Sequence, residues 1–149
     1  RNYQEHRTLY SNLIKRSRYF IANKAKFDSG NQIGTQQELG SRFFEGAAGG
    51  AVMIGIPPVC EAYNKHFDWS DAVIEVPDNN DIAEMIVELN AQPERLQKIR
   101  KNNMINSVLR HDWVYRWEEI LSKVELDNTP EMLVRKNYLK NLSEMISIV

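Results

Sequence analysis

The residues with the most chemical promise lie in one run, Gly40-Ser41-Arg42-Phe43-Phe44-Glu45-Gly46-Ala47-Ala48-Gly49-Gly50-Ala51-Val52-Met53-Ile54-Gly55. It reads as a loop, a short helix rich in small residues, and a buried strand. A helix that starts over Gly40, Ser41 and Arg42 leaves backbone N–H groups without intrahelical partners. Its end also carries a partial positive charge, and the two together suit a diphosphate. Gly40 lets the backbone approach such a ligand closely, and Arg42 adds a charge-assisted contact. Glu45 stands one turn further on, where a carboxylate can accept hydrogen bonds from ribose hydroxyls. The same carboxylate could instead cap or salt-bridge its own helix, and spacing leaves both readings open.

Other candidates are weaker. Gly46-Ala47-Ala48-Gly49-Gly50 is glycine-rich, but a dinucleotide fingerprint must follow a strand and open a helix. Here the glycines close a helix and precede a strand. His6, His66 and His111 are scattered, and the single cysteine, Cys60, has no ligand-spaced partner, so no metal site is expected. His66 with Asp68 could form a base–orienter pair after the second strand, or be ordinary loop polars. His111 reads as a helix breaker or cap. Trp69, Trp113 and Trp117 read as core or domain-contact aromatics, since large rings dominate packing energetics. No nucleophile elbow and no Walker pattern occurs.

The elements that must position these groups follow from periodicity. Tyr3, Leu9, Tyr10, Leu13 and Ile14 predict a helix over about 2–16, and Tyr19-Phe20-Ile21-Ala22 a short buried strand. A polar loop runs over 24–37, a helix over 41–48, and a strand over 51–54, with Gly49 and Gly50 placed where a left-handed helix stop belongs. An irregular aromatic stretch over 63–69 precedes a third strand over 72–76. Pro77-Asp78-Asn79-Asn80 then opens a helix carrying Ile82, Met85, Ile86 and Leu89. Pro93 opens another with Leu96, Ile99, Met104 and Val108. His111-Asp112 interrupts, and Trp113 to Val124 resumes the pattern. A last helix starts at Thr129-Pro130-Glu131 and shows Leu139, Leu142, Met145 and Ile146 on one side. Apolar strands alternating with helices predict an α/β sandwich with a parallel sheet. Three strands are few for a doubly wound sheet, and Arg1 falls inside a helical pattern, so a longer parent with further N-terminal strands is expected.

Composition limits the partners. The chain has 149 residues and net charge −1, too neutral a surface for the phosphate-facing cations that nucleic-acid binding needs. Lys15, Arg16, Arg18, Lys24 and Lys26 form the densest basic stretch, read as a solvated helix end and strand rim. A lone cysteine fits a reducing, cytoplasmic compartment. The longest apolar stretch, 47–60, is broken by Gly49, Gly50, Gly55, Pro57 and Pro58, so no transmembrane segment is expected, and nothing resembles a signal peptide.

The run Ser41-Arg42-Phe43-Phe44-Glu45, five small residues and a strand resembles the donor-site motif of GT-B glycosyltransferases. The likeness is strongest to the glycosyltransferase-like group that includes spore-maturation proteins. It extends from about Tyr10 to Val124, through Phe67-Asp68-Trp69, Pro93-Glu94-Arg95 and His111-Asp112-Trp113 with Arg116-Trp117. The resemblance implies a partial Rossmann-like, three-layer sandwich: the C-terminal half of a GT-B nucleotide-sugar-binding domain over 1–124, with a helical extension over 125–149. It implies a nucleotide-diphosphate sugar as donor substrate, with no separate cofactor, and an acceptor domain preceding this chain that also supplies any catalytic base. Glu45 would hold the ribose, Gly40 and Ser41 the diphosphate with Arg42 beside them, and Gln37 or Glu38 would touch the sugar. The sequence departs from the two glutamates, eight positions apart, of retaining relatives. Gln37 stands eight before Glu45 and Glu38 seven before it. A non-catalytic interaction module and a nucleotide-sugar epimerase share the architecture, and fold alone does not separate them.

Overall fold

A computed structural model describes residues 2–25, 37–76 and 82–148. Most of the polar loop expected over 24–37, Lys26 included, and the helix opening at Pro77-Asp78-Asn79-Asn80 lie outside these residues. Three parallel strands, β1 (Tyr19–Ile21), β2 (Val52–Gly55) and β3 (Ile74–Glu75), form one sheet in the order β1-β2-β3. Tyr19 pairs with Val52, Ile21 with Ile54, and Ile54 with Ile74. The helices are α1 (Tyr3–Arg16), α2 (Ser41–Ala48), α3 (Glu61–His66), α4 (Ile82–Asn90), α5 (Pro93–Arg110), α6 (Trp113–Lys123) and α7 (Pro130–Ile148). The fold is α/β with a parallel sheet, Rossmann-like in its connections.

Alternation along β2 divides the core. Met53 joins Ala22, Phe43, Ala47, Phe67 and Ala72 on the face covered by α2 and α3. Val52 and Ile54 face the other way and pack with Leu89, Leu96 and Ile99 of α4 and α5. A strand buried on both faces needs an unbroken apolar run, and Ala51 to Ile54 supplies it, all four residues being buried.

The small residues of α2 have separate tasks. A Cβ on Gly46 would lie 2.8 Å from the Met53 sulfur and from Phe20, so its absence lets the helix rest directly on the sheet. Gly50 takes φ +66. Its N–H donates to the Ala47 carbonyl at 3.0 Å, and the Ala51 N–H to the Gly46 carbonyl at 3.1 Å. This paired 5→2 and 6→1 closure is the Schellman stop, at the position expected from sequence.

Two expectations need correcting. The aromatic stretch expected to be irregular over 63–69 begins inside α3, whose turn closes through Asn64 N–H to the Cys60 carbonyl and Phe67 N–H to the Tyr63 carbonyl. Tyr63 and Phe67 stack on each other, and both rings meet Phe43, so tertiary packing sustains a helix too short to stand alone. The third strand, expected over 72–76, is Ile74–Glu75. Asp71 adopts φ 58 and the Ala72 N–H closes a turn onto the Trp69 carbonyl, so the chain joins the ladder only at Ile74.

The tryptophans divide. Trp69 packs against the core, and its Nε1–H donates to Asn103 Oδ1 at 2.9 Å. Trp113 and Trp117 are 69% and 54% exposed, so neither is a core residue. Asn103 is fully buried and donates in turn to the Ala51 carbonyl at 2.9 Å, tying α5 to the entry of β2. The last helix buries Leu139 and Ser143 and packs along α5, while Met145 points outward at 65% exposure.

Candidate functional site

Because β2 starts just past the end of α2 and runs parallel to β1, the helix must return antiparallel to the strands. The start of α2 therefore lies at the carboxyl edge of the sheet, where open α/β folds bind ligands. Gly40 is its N-cap, in extended conformation and with no side-chain hydrogen bond closing the cap. A Cβ built on Gly40 meets nothing within 4 Å, and Ser41 and Arg42 are exposed. Among the described residues, the helix start is thus open.

Glu45 sits one turn in and half-buried. Its Oε2 accepts a hydrogen bond from the Tyr10 hydroxyl of α1 at 3.2 Å. Burial, and then the neighbouring Glu45 charge and hydrogen bond, push the Tyr10 phenol up, with Arg42 opposing, so Tyr10 stays a donor. The carboxylate borders two clefts. One, of about 470 Å³, runs between α1 and α2 and is lined by Tyr3, His6, Arg7 and Tyr10. The other, of about 570 Å³, lies between α2, the end of α5 and α7, and includes Phe44, Met104, His111 and Tyr138. No ion pair of Glu45 within its own helix is formed; the contact runs to α1 instead.

Gln37 and Glu38 have contacts of their own. Gln37 Oε1 accepts from the Val59 N–H at 2.7 Å, which holds the approach to α2 against the segment after β2. The Glu38 carbonyl accepts from the Ala25 N–H at 3.3 Å, and its side chain is exposed. Tyr10 was missed by sequence reasoning. It lies thirty-five residues from Glu45, and in sequence it reads simply as one apolar position of a helix.

His66 and Asp68 do not form a pair. Asp68 is bound by Arg110, whose hydrogen bond holds its carboxyl below the usual range. The His66 carbonyl meets His111 Nε2 at 2.9 Å. Since a carbonyl only accepts, Nε2 carries the proton, and the buried Nδ1 has no partner among the described residues. Burial pushes His111 down to about 4, the His66 carbonyl bond opposing, with His66, Arg110 and Arg116 adding to the fall. His111 ends α5 and Asp112 caps α6 through Val114 N–H at 3.0 Å, so the interruption there is a pair of caps. Among the described residues, no group of three or more His, Cys, Asp or Glu could hold a metal ion, and no helix is long and apolar enough to cross a membrane.

A parallel α/β sheet with helices on both faces and a helix start at its carboxyl edge defines a Rossmann-like domain. A family model described as glycosyl transferase-like matches residues 3–122, and the chain belongs to that family. No curated protein and no solved structure matches it. A general role in glycosyl transfer follows from the family.

Proposed function

We propose that residues 1–124 form the donor-binding part of a GT-B glycosyltransferase, holding a nucleotide-diphosphate sugar, with 125–149 as a helical extension. The amides at Gly40 and Ser41, with the Arg42 guanidinium, take the diphosphate. Glu45 takes the ribose hydroxyls, and the Gln37–Glu38 stretch lies toward the sugar. As the glycosidic bond breaks, negative charge grows on the leaving diphosphate, and preorganised amides and a cation stabilise it without a metal. The acceptor and any base belong to a domain preceding this chain in its parent. The observation that carries this reading is the start of α2, neither capped by a side chain nor covered among the described residues, with Glu45 one turn beyond it, bordering open clefts.

Titration with UDP, GDP and ADP during thermal unfolding tests it. A ligand that binds only the native state adds about 2.7 kcal/mol at a hundredfold excess over Kd. At least one nucleotide is expected to raise the melting temperature, and Glu45→Ala to reduce the rise. One observation favours a second reading, an interaction module that has kept the fold. Trp113, Trp117 and Ile120 on α6, with Val124 at its C-cap, make an exposed apolar stripe. Absence of any nucleotide effect would turn the assignment to that module.

A further inference from the structure

We propose that the cleft between α5 and α7 binds a single-chain fatty carboxylate, its head on Arg100 and its tail against apolar side chains of both helices. The site is separate from the donor reading, and neither depends on the other. α5 and α7 run antiparallel. Asp112, just past the end of α5, is bound by Arg135 near the start of α7, while Lys101 donates to the Ser147 carbonyl near its end at 2.9 Å. Beside that second contact lies an opening of about 380 Å³, within the usual range for small-molecule sites.

The lining has a polar end and an apolar run. Gln97, Arg100 and Lys101 stand on α5, with Met104 one turn further along it. Leu142, Met145 and Ile146 form the α7 side, on one face of that helix by their i, i+3 and i+4 spacing. Met145 is 65% exposed, so covering it removes apolar surface from water. Met104, Leu142 and Ile146 also line the neighbouring cleft of about 570 Å³, so the apolar run continues past the first opening. Two unbranched thioether side chains, Met104 and Met145, adapt readily to a flexible tail.

Charge selects the head. Among the described residues, no carboxylate lines this cleft. Lys101 is committed to the Ser147 carbonyl. Arg100 is half-buried and has no hydrogen-bond or ion-pair partner among the described residues. Its guanidinium only donates, and its planar fork matches a carboxylate through two N–H groups. One uncommitted cation beside one apolar run has the polarity of a fatty carboxylate. An acidic peptide or an anionic bilayer would bring several charges to it.

Calorimetric titration of the full chain with octanoate, decanoate and dodecanoate tests this, with dodecyl maltoside as an uncharged chain and each kept below its micelle-forming concentration. One-to-one binding should tighten about tenfold for each two methylenes added. Arg100→Gln should weaken dodecanoate about tenfold and leave dodecyl maltoside unchanged, whereas Met145→Glu should weaken both. Dodecanoate that binds only in many copies, or that binds the wild-type and Arg100→Gln chains equally, overturns the proposal. So does a chain that ignores dodecanoate yet sediments with phosphatidylglycerol vesicles, because this face would then serve a membrane surface. A wild-type dimer that Met145→Glu makes monomeric also overturns it, the cleft then being covered by a second copy. If either variant melts below the wild type, the chain-length series on the wild-type chain decides alone, and equal affinity for octanoate and dodecanoate refutes the site.

Discussion

Glu45 illustrates what a residue's type and position can and cannot convey. One turn inside a short helix, it could serve a ligand or its own helix, and sequence left the two open. The partner it has, Tyr10, comes from another element, so no local pattern announced that contact. Gln37 is a second such case. Its side chain serves the Val59 N–H, a bond invisible in spacing. At this scale two stability predictions follow from buried polar groups. Asn103 links the Trp69 indole to the Ala51 carbonyl, so Asn103→Leu strands a buried donor and acceptor. We expect about 2–4 kcal/mol lost in urea unfolding, on the scale of two stranded groups. His111 is a pH-sensitive position with a large shift. In the unfolded chain its imidazole protonates near 6.5, in the native state only near 4. Between these values the unfolded chain binds more protons, so its contribution is complete above about pH 6.5 and is lost as pH falls toward 4. The size is on the order of 2 kcal/mol after allowance for solvent screening. Unfolding free energies at pH 7 and pH 4.5 should differ less in His111→Phe than in the wild-type chain; equal differences would contradict the assignment.

At the scale of elements, strong periodicity and punctuation made most helices legible. The stop at Gly49-Gly50, Pro93 as the first residue of α5 and the caps at His111-Asp112 each have a local chemical cause, and each lies where expected. What depended on partners was not legible. The α3 helix persists because Tyr63 and Phe67 find Phe43, and β3 is short because a turn at Asp71 delays its entry into the ladder. Trp113 and Trp117 fit a buried pattern by type, yet lie on the outer face of α6. The α2 stop carries its own prediction. Gly50→Ala would place a Cβ at positive φ and within 2.8 Å of Met104. A cost of about 1–2 kcal/mol is expected, seen as a fall of roughly 3–8 °C in Tm. An unchanged Tm would mean the turn has rearranged to another closure.

For the whole molecule, the parallel sheet followed from strands alternating with helices, and each expected strand is present among the described residues, the third shorter than expected. The placement of the α2 start followed too, because α2 must run against the strands and so opens at their carboxyl edge. The shape of the clefts did not, since it depends on how α1, α5 and α7 lie against α2. The central claim is that a carboxylate in this fold grips a ribose while the helix start holds the diphosphate. Calorimetric titration of the best-binding nucleoside diphosphate against its 2′,3′-dideoxy analogue tests it most directly, in the wild-type chain and in Glu45→Ala. The account predicts that loss of the two hydroxyls weakens binding to the wild-type chain about tenfold or more, and that Glu45→Ala binds both ligands with the same, weakened affinity. Equal affinity of the wild-type chain for the ribose and dideoxy ligands would contradict it.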